Sequence, residues 1–305
     1  MATPPSYTTT ELIAQSKRIA NVPLNDTTVT AVDILSFGDA ELRTSILSQI
    51  LSVQEGYYRT FKDIAVNATG RYSIPGRAIG MRVSDVQMVD GDSVWNLARI
   101  EPRQLSSATN PPTNTYAFYL EGNDIVTVPP LPSGVCRVYY YVRPGMLVAT
   151  SSCGQILSIV GNDVTVSALP SGYAVATLVD FQQANPPFGI LVVDAQILAV
   201  NTNTLTFTTV PTTLAVGDWI CLAGTSCIPQ LPAEFHPLLA QRIAVKILER
   251  QGYLSKMEAA QKKLLEMEKA LLGILSPRAE GNAKKITPNR NLVSPSARGG
   301  RWFVS

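Results

Sequence analysis

Histidine is almost absent from this chain: His236 is the only one in 305 residues. That removes His-dependent triads everywhere except around EFHP, and no serine or cysteine nucleophile lies near it in sequence, so a surface or packing role is expected for it. Charge is also scarce. Asp, Glu, Lys and Arg make up 16% of the residues against 46% apolar, which excludes a disordered chain and leaves material for a sizeable core. No apolar run approaches the roughly 18 residues of a membrane span, and the opening MATPPSYTTT lacks the basic-then-apolar order of a secretory signal. A soluble protein made in a cytoplasm, with no membrane partner, is expected.

Cysteine is sparse and badly spaced for a metal. Cys136, Cys153, Cys221 and Cys227 include no CxxC, while a closed zinc site needs about four Cys or His ligands. Buried thiols are expected, with a Cys221–Cys227 disulfide as the alternative. Phosphate loops, GxSxG and HExxH are missing too. A carboxylate pair for glycoside hydrolysis remains formally available in Asp90, Asp92, Glu121 and Asp124, but these stand in DGD and EGND, ordinary turn sequences. Catalytic, cofactor-binding and metal-binding residues are therefore all set at none.

What is present begins with helices at the two ends. After Pro232, Phe235, Leu238, Leu239, Ile243, Ile247 and Leu248 recur at three- and four-residue steps, one face of a helix that Gly252 should end. A second helix from about Leu254 to Gly273 carries the stripe Met257, Ala260, Leu264, Met267, Leu271 and Ile274. That stripe either packs on its own core or contacts a neighbouring subunit, with Met257, Leu264, Met267 and Leu271 as the interface candidates. Near the N-terminus, Thr8-x-x-Glu11 reads as a capping box for a short helix to about Ala20, and Thr30-x-x-Asp33 opens a longer one ending near Gly56.

Between Phe61 and Leu231 the period changes to short alternating runs separated by NATG, DGD, EGND and PPLPSG, all turn chemistry. An antiparallel sandwich or small barrel is expected. Within CRVYYYVRPG, alternation puts Tyr139 and Tyr141 on one face and Tyr140 on the other. QILSIVGNDVTVSALP (155–170) aligns without gaps on QILAVNTNTLTFTTVP (196–211), two related hairpins that read as halves of one barrel.

The fold class expected is α+β. Residues 1–61 and 231–275 form an α-helical base, 62–145 a sandwich-like insertion and 146–230 a second β module holding the repeat; 276–305 form an extended basic arm. In that arm Arg278, Lys284, Lys285, Arg290, Arg298 and Arg301 stand against Glu280 alone, a net +5, so with +2 overall the first 275 residues carry −3. Trp302 and Phe303 add apolar anchors, which favour a protein surface over nucleic acid as its target.

The segments YTTTELIAQSKRIANVP, LRTSILSQILSVQEGYY, YAFYLEGNDIVTVPPLPSGVCRVYYYVRPGMLV and VGDWICLAGTSCIPQLPAEFHPLLAQRIAVKILERQGY resemble head-to-tail adaptor, or connector, proteins of short-tailed bacteriophages. The resemblance implies a virion protein: a homo-oligomeric ring, expected to have 12 copies in that family, beneath the portal protein and continuing a channel for double-stranded DNA without sequence specificity. It also implies that the arm, residues 276–305, docks on the portal and that the β modules meet tail nozzle or fibre proteins. A tail-fibre or receptor-facing decoration protein is the alternative among binding proteins, and a tail-associated hydrolase is the alternative among enzymes.

Overall fold

The computed structural model describes residues 7–101 and 116–274. The architecture is α+β. Helices α1 (Thr9–Ile19), α2 (Ala31–Glu41), α3 (Leu47–Val53), α4 (His236–Gln251) and α5 (Leu254–Ile274) come from the two ends of the described chain and pack together. α4 is the centre of this layer, with α1, α2 and α5 all against it. Its stripe from Phe235 to Leu248 is fully buried.

Helix ends follow the local chemistry with two exceptions. Thr30 and Asp33 make a complete capping box, and hydrogen bonds from Arg250 and Thr30 hold the Asp33 carboxyl down at about 2. At Thr8 only half of the expected box forms: its hydroxyl accepts from the Glu11 amide at 3.4 Å, while the Glu11 carboxylate turns to Arg18 instead. The long helix expected to run unbroken from Thr30 toward Gly56 is interrupted. A π-helical turn over Leu42–Ile46 separates α2 from α3, and both Leu42 and Ile46 point fully into the core. A wider turn of this kind shifts the register of the apolar face, which α-helical spacing alone does not express. Gly252 ends α4 in the left-handed region, φ 74°.

Sixteen strands lie between α3 and α4 among the described residues. The first β region contains β1 (Arg59–Ala65), β2 (Arg71–Ser73), β3 (Ala78–Asp90), β4 (Ser93–Asn96), β5 (Ala98–Arg99), β6 (Ala117–Glu121), β7 (Asp124–Val128) and β8 (Val135–Val142). They form two four-stranded sheets, in the orders β1-β8-β3-β4 and β2-β7-β6-β5. β1 begins two residues before Phe61, because Arg59 and Thr60 already pair with Tyr141 and Tyr140. The sheets are not purely antiparallel, since β5 and β6 run parallel. Tyr140 faces inward while Tyr139 and Tyr141 are half-buried, as alternation requires. Buried side chains of both sheets, such as Val86, Val138 and Ile125, join those of the helices in one continuous core.

The second β region is a closed six-stranded barrel, ordered β10-β11-β14-β13-β12-β15. Its strands are β10 (Gly154–Val160), β11 (Asp163–Val166), β12 (Leu178–Gln182), β13 (Ile190–Asn201), β14 (Thr204–Phe207) and β15 (Trp219–Leu222). It has its own core of Ile156, Val164, Phe181, Ile197, Leu205, Phe207 and Ile220. The flanks β9 (Met146–Leu147) and β16 (Thr225–Ser226) pair in parallel and tie the barrel's two ends together.

Candidate interaction surfaces

Two features fix the barrel to the rest of the molecule. Arg77, just before β3, reaches the carboxylate of Asp180 on β12 at 3.0 Å and that of Asp194 on β13 at 3.4 Å. Asp180 is wholly buried and also accepts from the amides of Asp194 and Gly224; burial raises its pKa against the opposing pull of Arg77. Beside this seam lies a small core of Cys153, Phe188, Trp219, Cys221, Cys227 and Ile228. The Cys227 carbonyl accepts from the Thr9 amide, so the start of α1 is pinned here.

The three sulfurs of Cys153, Cys221 and Cys227 lie within 4.8 Å of one another and are free thiols, as is Cys136. Cys153 stands ahead of β10, far in sequence from the other two, so no spacing rule announced this group. Burial pushes Cys221 and Cys227 up, whereas hydrogen bonds from both pull Cys153 down to about 5. They supply three ligands, one short of the four of a structural zinc site.

The sequence repeat extends beyond its hairpins. Under the same shift of 41 residues, SGYAVATLVDF (171–181) falls on TTLAVGDWICL (212–222), so β10-β11-β12 as a whole matches β13-β14-β15. The pairing register obeys the match: Asp163 opposite Thr206 maps onto Thr165 opposite Thr204, and Gly154 opposite Ile220 maps onto Val179 opposite Ala195. So do the hydrogen bonds. Ile156 N–H donates to Asp218 O as Ile197 N–H donates to Thr177 O, and Gly217 N–H to Ile156 O as Ala176 N–H to Ile197 O. The barrel has a pseudo-two-fold axis passing by the Val164/Leu205 and Asp180/Cys221 pairs.

Its outer wall follows the same symmetry. β10 bulges between Ile156 and Ser158 and β13 between Ile197 and Ala199, which leaves Leu157 and Leu198 as the extra residues. A bulge re-aims its side chain, and these two leucines are 55% and 47% exposed. Alongside them run Val216, 65% exposed, and Val175, 61% exposed, each just ahead of a left-handed turn residue, Gly217 or Ala176. The surroundings carry almost no charge. Residues 146–229 contain four Asp and no Lys, Arg, His or Glu, and of the four only Asp163 is exposed, bonded to Thr206. Charge depletion of this kind marks interface cores, whereas free surfaces of soluble proteins are rich in ions. The missing bases are legible in the sequence directly; the bulges are not.

The helical candidates lie elsewhere. Met257, Leu264, Met267 and Leu271 are half-buried on the face of α5 that packs against the helical core. Arg242 on α4 pairs with both Glu41 and Glu268, and Gln241 donates to the Ala260 carbonyl, which fixes α5 along α4. His236 is buried, stacked on Tyr7 at 4.1 Å and bonded to the Leu231 carbonyl, so it packs, and burial lowers its pKa to about 4. Asp90 accepts from Ser133, while Glu121 and Asp124 both face Arg71. Arg278, Lys284, Lys285, Arg290, Arg298, Arg301, Trp302 and Phe303 lie outside the described residues.

No helix among the described residues is long and apolar enough to cross a membrane. No curated protein matches the chain. A family model described as SU10 adaptor protein matches residues 7–187, from the start of α1 through the first half of the barrel. That is more than half the chain, and the protein belongs to the SU10 adaptor protein family.

Proposed function

We propose that this phage adaptor acts as the head-to-tail connector ring: a homo-oligomer, 12 copies in the resemblance above, that docks beneath the portal protein, extends its DNA channel and seats tail nozzle or fibre proteins. The family match over residues 7–187 carries the reading, because it covers α1 to α3, the whole first β region and the first half of the barrel together. The protein works through contacts and not through catalysis; Glu121 and Asp124 are engaged by Arg71 and Asp90 by Ser133, as hairpin-turn carboxylates are. Basic residues of 276–305, with Trp302 and Phe303, make the arm the portal-docking element, aromatic anchors giving affinity and charge giving on-rate. On α5, Lys256, Lys262, Lys263 and Lys269 alternate with Glu258 and Glu266, while Glu268 is taken up by Arg242; this mixed charge lets duplex DNA slide past without being held.

Phage particles made without this protein test the reading. Filled heads that lack tails and leak DNA are expected, with purified protein restoring tail attachment. Tailed, infectious particles in its absence would refute the connector role. Truncation after Ile274 should abolish binding to purified portal, and retained binding would place portal docking in the folded body.

A further inference from the structure

We infer that the two apolar walls of the barrel are the two sides of one subunit contact: Leu157 and Val216 of one copy pack on Leu198 and Val175 of the next copy of this chain. The inference rests on the ring reading above and names a contact within it.

Placement comes first. In the closed order β10-β11-β14-β13-β12-β15, β10 and β13 are three strands apart in either direction, so the two bulged leucines project from opposite sides of the barrel. A ring built head to tail asks every subunit for two mating faces that point away from each other. The walls are also related without being identical, as a heterologous contact permits. Val160, 73% exposed, extends the Leu157 wall, and Leu178, 44% exposed, extends the Leu198 wall, while their repeat counterparts Asn201 and Trp219 are polar and buried respectively.

Charge then selects the occupant. Neither wall offers an ion for a charged surface to pair with, since residues 146–229 hold no base and their one exposed carboxylate is Asp163. The matching surface must itself be uncharged and apolar. Among the described residues, the opposite wall of the same barrel is such a surface, with the same Leu-Val pair on the same bulge and turn. A portal or tail protein would need a single patch; the duplication of the patch on both sides is what a second copy uses.

The test uses the full chain with one substitution per wall, Leu157→Asp or Leu198→Asp, and reads complex size by mass photometry in free solution and on purified portal. Wild type is expected to assemble cooperatively, and each variant to need at least about tenfold more protein, as for loss of a central apolar contact. The decisive arm mixes the two variants. Each retains the wall that the other has lost, so the mixture forms one contact and stops at two copies. Both side chains are exposed, so thermal unfolding should stay near wild type; if an Asp variant unfolds, Leu157→Ser and Leu198→Ser replace it. Variants that assemble like wild type, or a mixture that restores full-size complexes, overturn the inference. So does wild type that stays monomeric in solution and loads portal without cooperativity, although portal binding would then leave the adaptor role standing. Normal assembly with loss of tail-protein uptake would put a different partner on the walls and equally overturn it.

Discussion

In the helical layer, Arg242 reaches Glu41 at the end of α2 and Glu268 on α5, and Arg250 reaches Asp33 at the head of α2. In the barrel no such pair exists among its own side chains, because its sequence has no base to make one. The difference follows from how each fixes its register. Helices packed on α4 can slide or rotate at small cost, and ion pairs at defined points select one alignment. A closed sheet needs no such selection, since every strand is held on both edges by backbone hydrogen bonds. Among the described residues the barrel's ionic tie, Asp180 and Asp194 with Arg77, faces the first β region, where alignment between two bodies has to be chosen.

The largest expected effect breaks that tie. Arg77→Met strands the buried Asp180 carboxylate and should cost about 3–5 kcal/mol in urea unfolding at neutral pH. Adding Asp180→Asn should restore most of the loss, and lowering the pH should shrink it, because protonation removes the stranded charge. Recovery of neither kind would mean that the seam depends on Arg77 for packing alone.

Acid comes next and acts on the helical side. His236 is held neutral by burial, its pKa lowered to about 4 from an ordinary 6.5. Between those values the unfolded chain binds the proton and the folded one does not, so this contribution is complete above pH 6.5 and is lost as pH falls toward 4. The loss amounts to about 3 kcal/mol. His236→Gln should flatten this part of the stability profile, and urea midpoints across that range for both proteins check it.

The pseudo-symmetry predicts equality within the barrel. Ile156 and Ile197 are equivalent and both fully buried, so Ile156→Val and Ile197→Val should each cost about 0.5–1.5 kcal/mol and agree with each other. Clearly unequal losses would show that the halves share a backbone plan but not an energy. The smallest effect is that of salt. Raising ionic strength should speed amide exchange slightly around the solvent-screened Asp33–Arg250 contact and leave β11 and β14 unchanged. Equal acceleration in both regions would erase the contrast.

Features set by neighbouring residues were legible in the sequence: the Thr30–Asp33 cap, the stop at Gly252, the α4 stripe and the hairpin turns. Those set by distant partners were not. Arg77 and Asp180 meet from 103 residues apart, and Cys153 meets Cys221 and Cys227 from opposite ends of the barrel's sequence. The repeat was half visible. Its hairpins keep QIL and a final proline, but beyond Pro170 and Pro211 the side chains diverge near the axis, with Asp180 against Cys221 and Leu178 against Trp219. Ala174-Val175 and Ala215-Val216 were the surviving clue, one turn conserved between halves whose attachments differ. The π turn at Leu42–Ile46 left no mark, because its apolar residues fit ordinary helical spacing nearly as well.

The strand order has one more implication. β12 does not pair within its own repeat but lies between β13 and β15 of the other, and β15 returns to β10. The halves are interlaced like clasped hands, and no cut between β12 and β13 separates two finished pieces. A fragment holding only β10 to β12 therefore carries every edge that its twin would need. Two such fragments, with no peptide bond between them, have the register to close one barrel as an exchanged dimer.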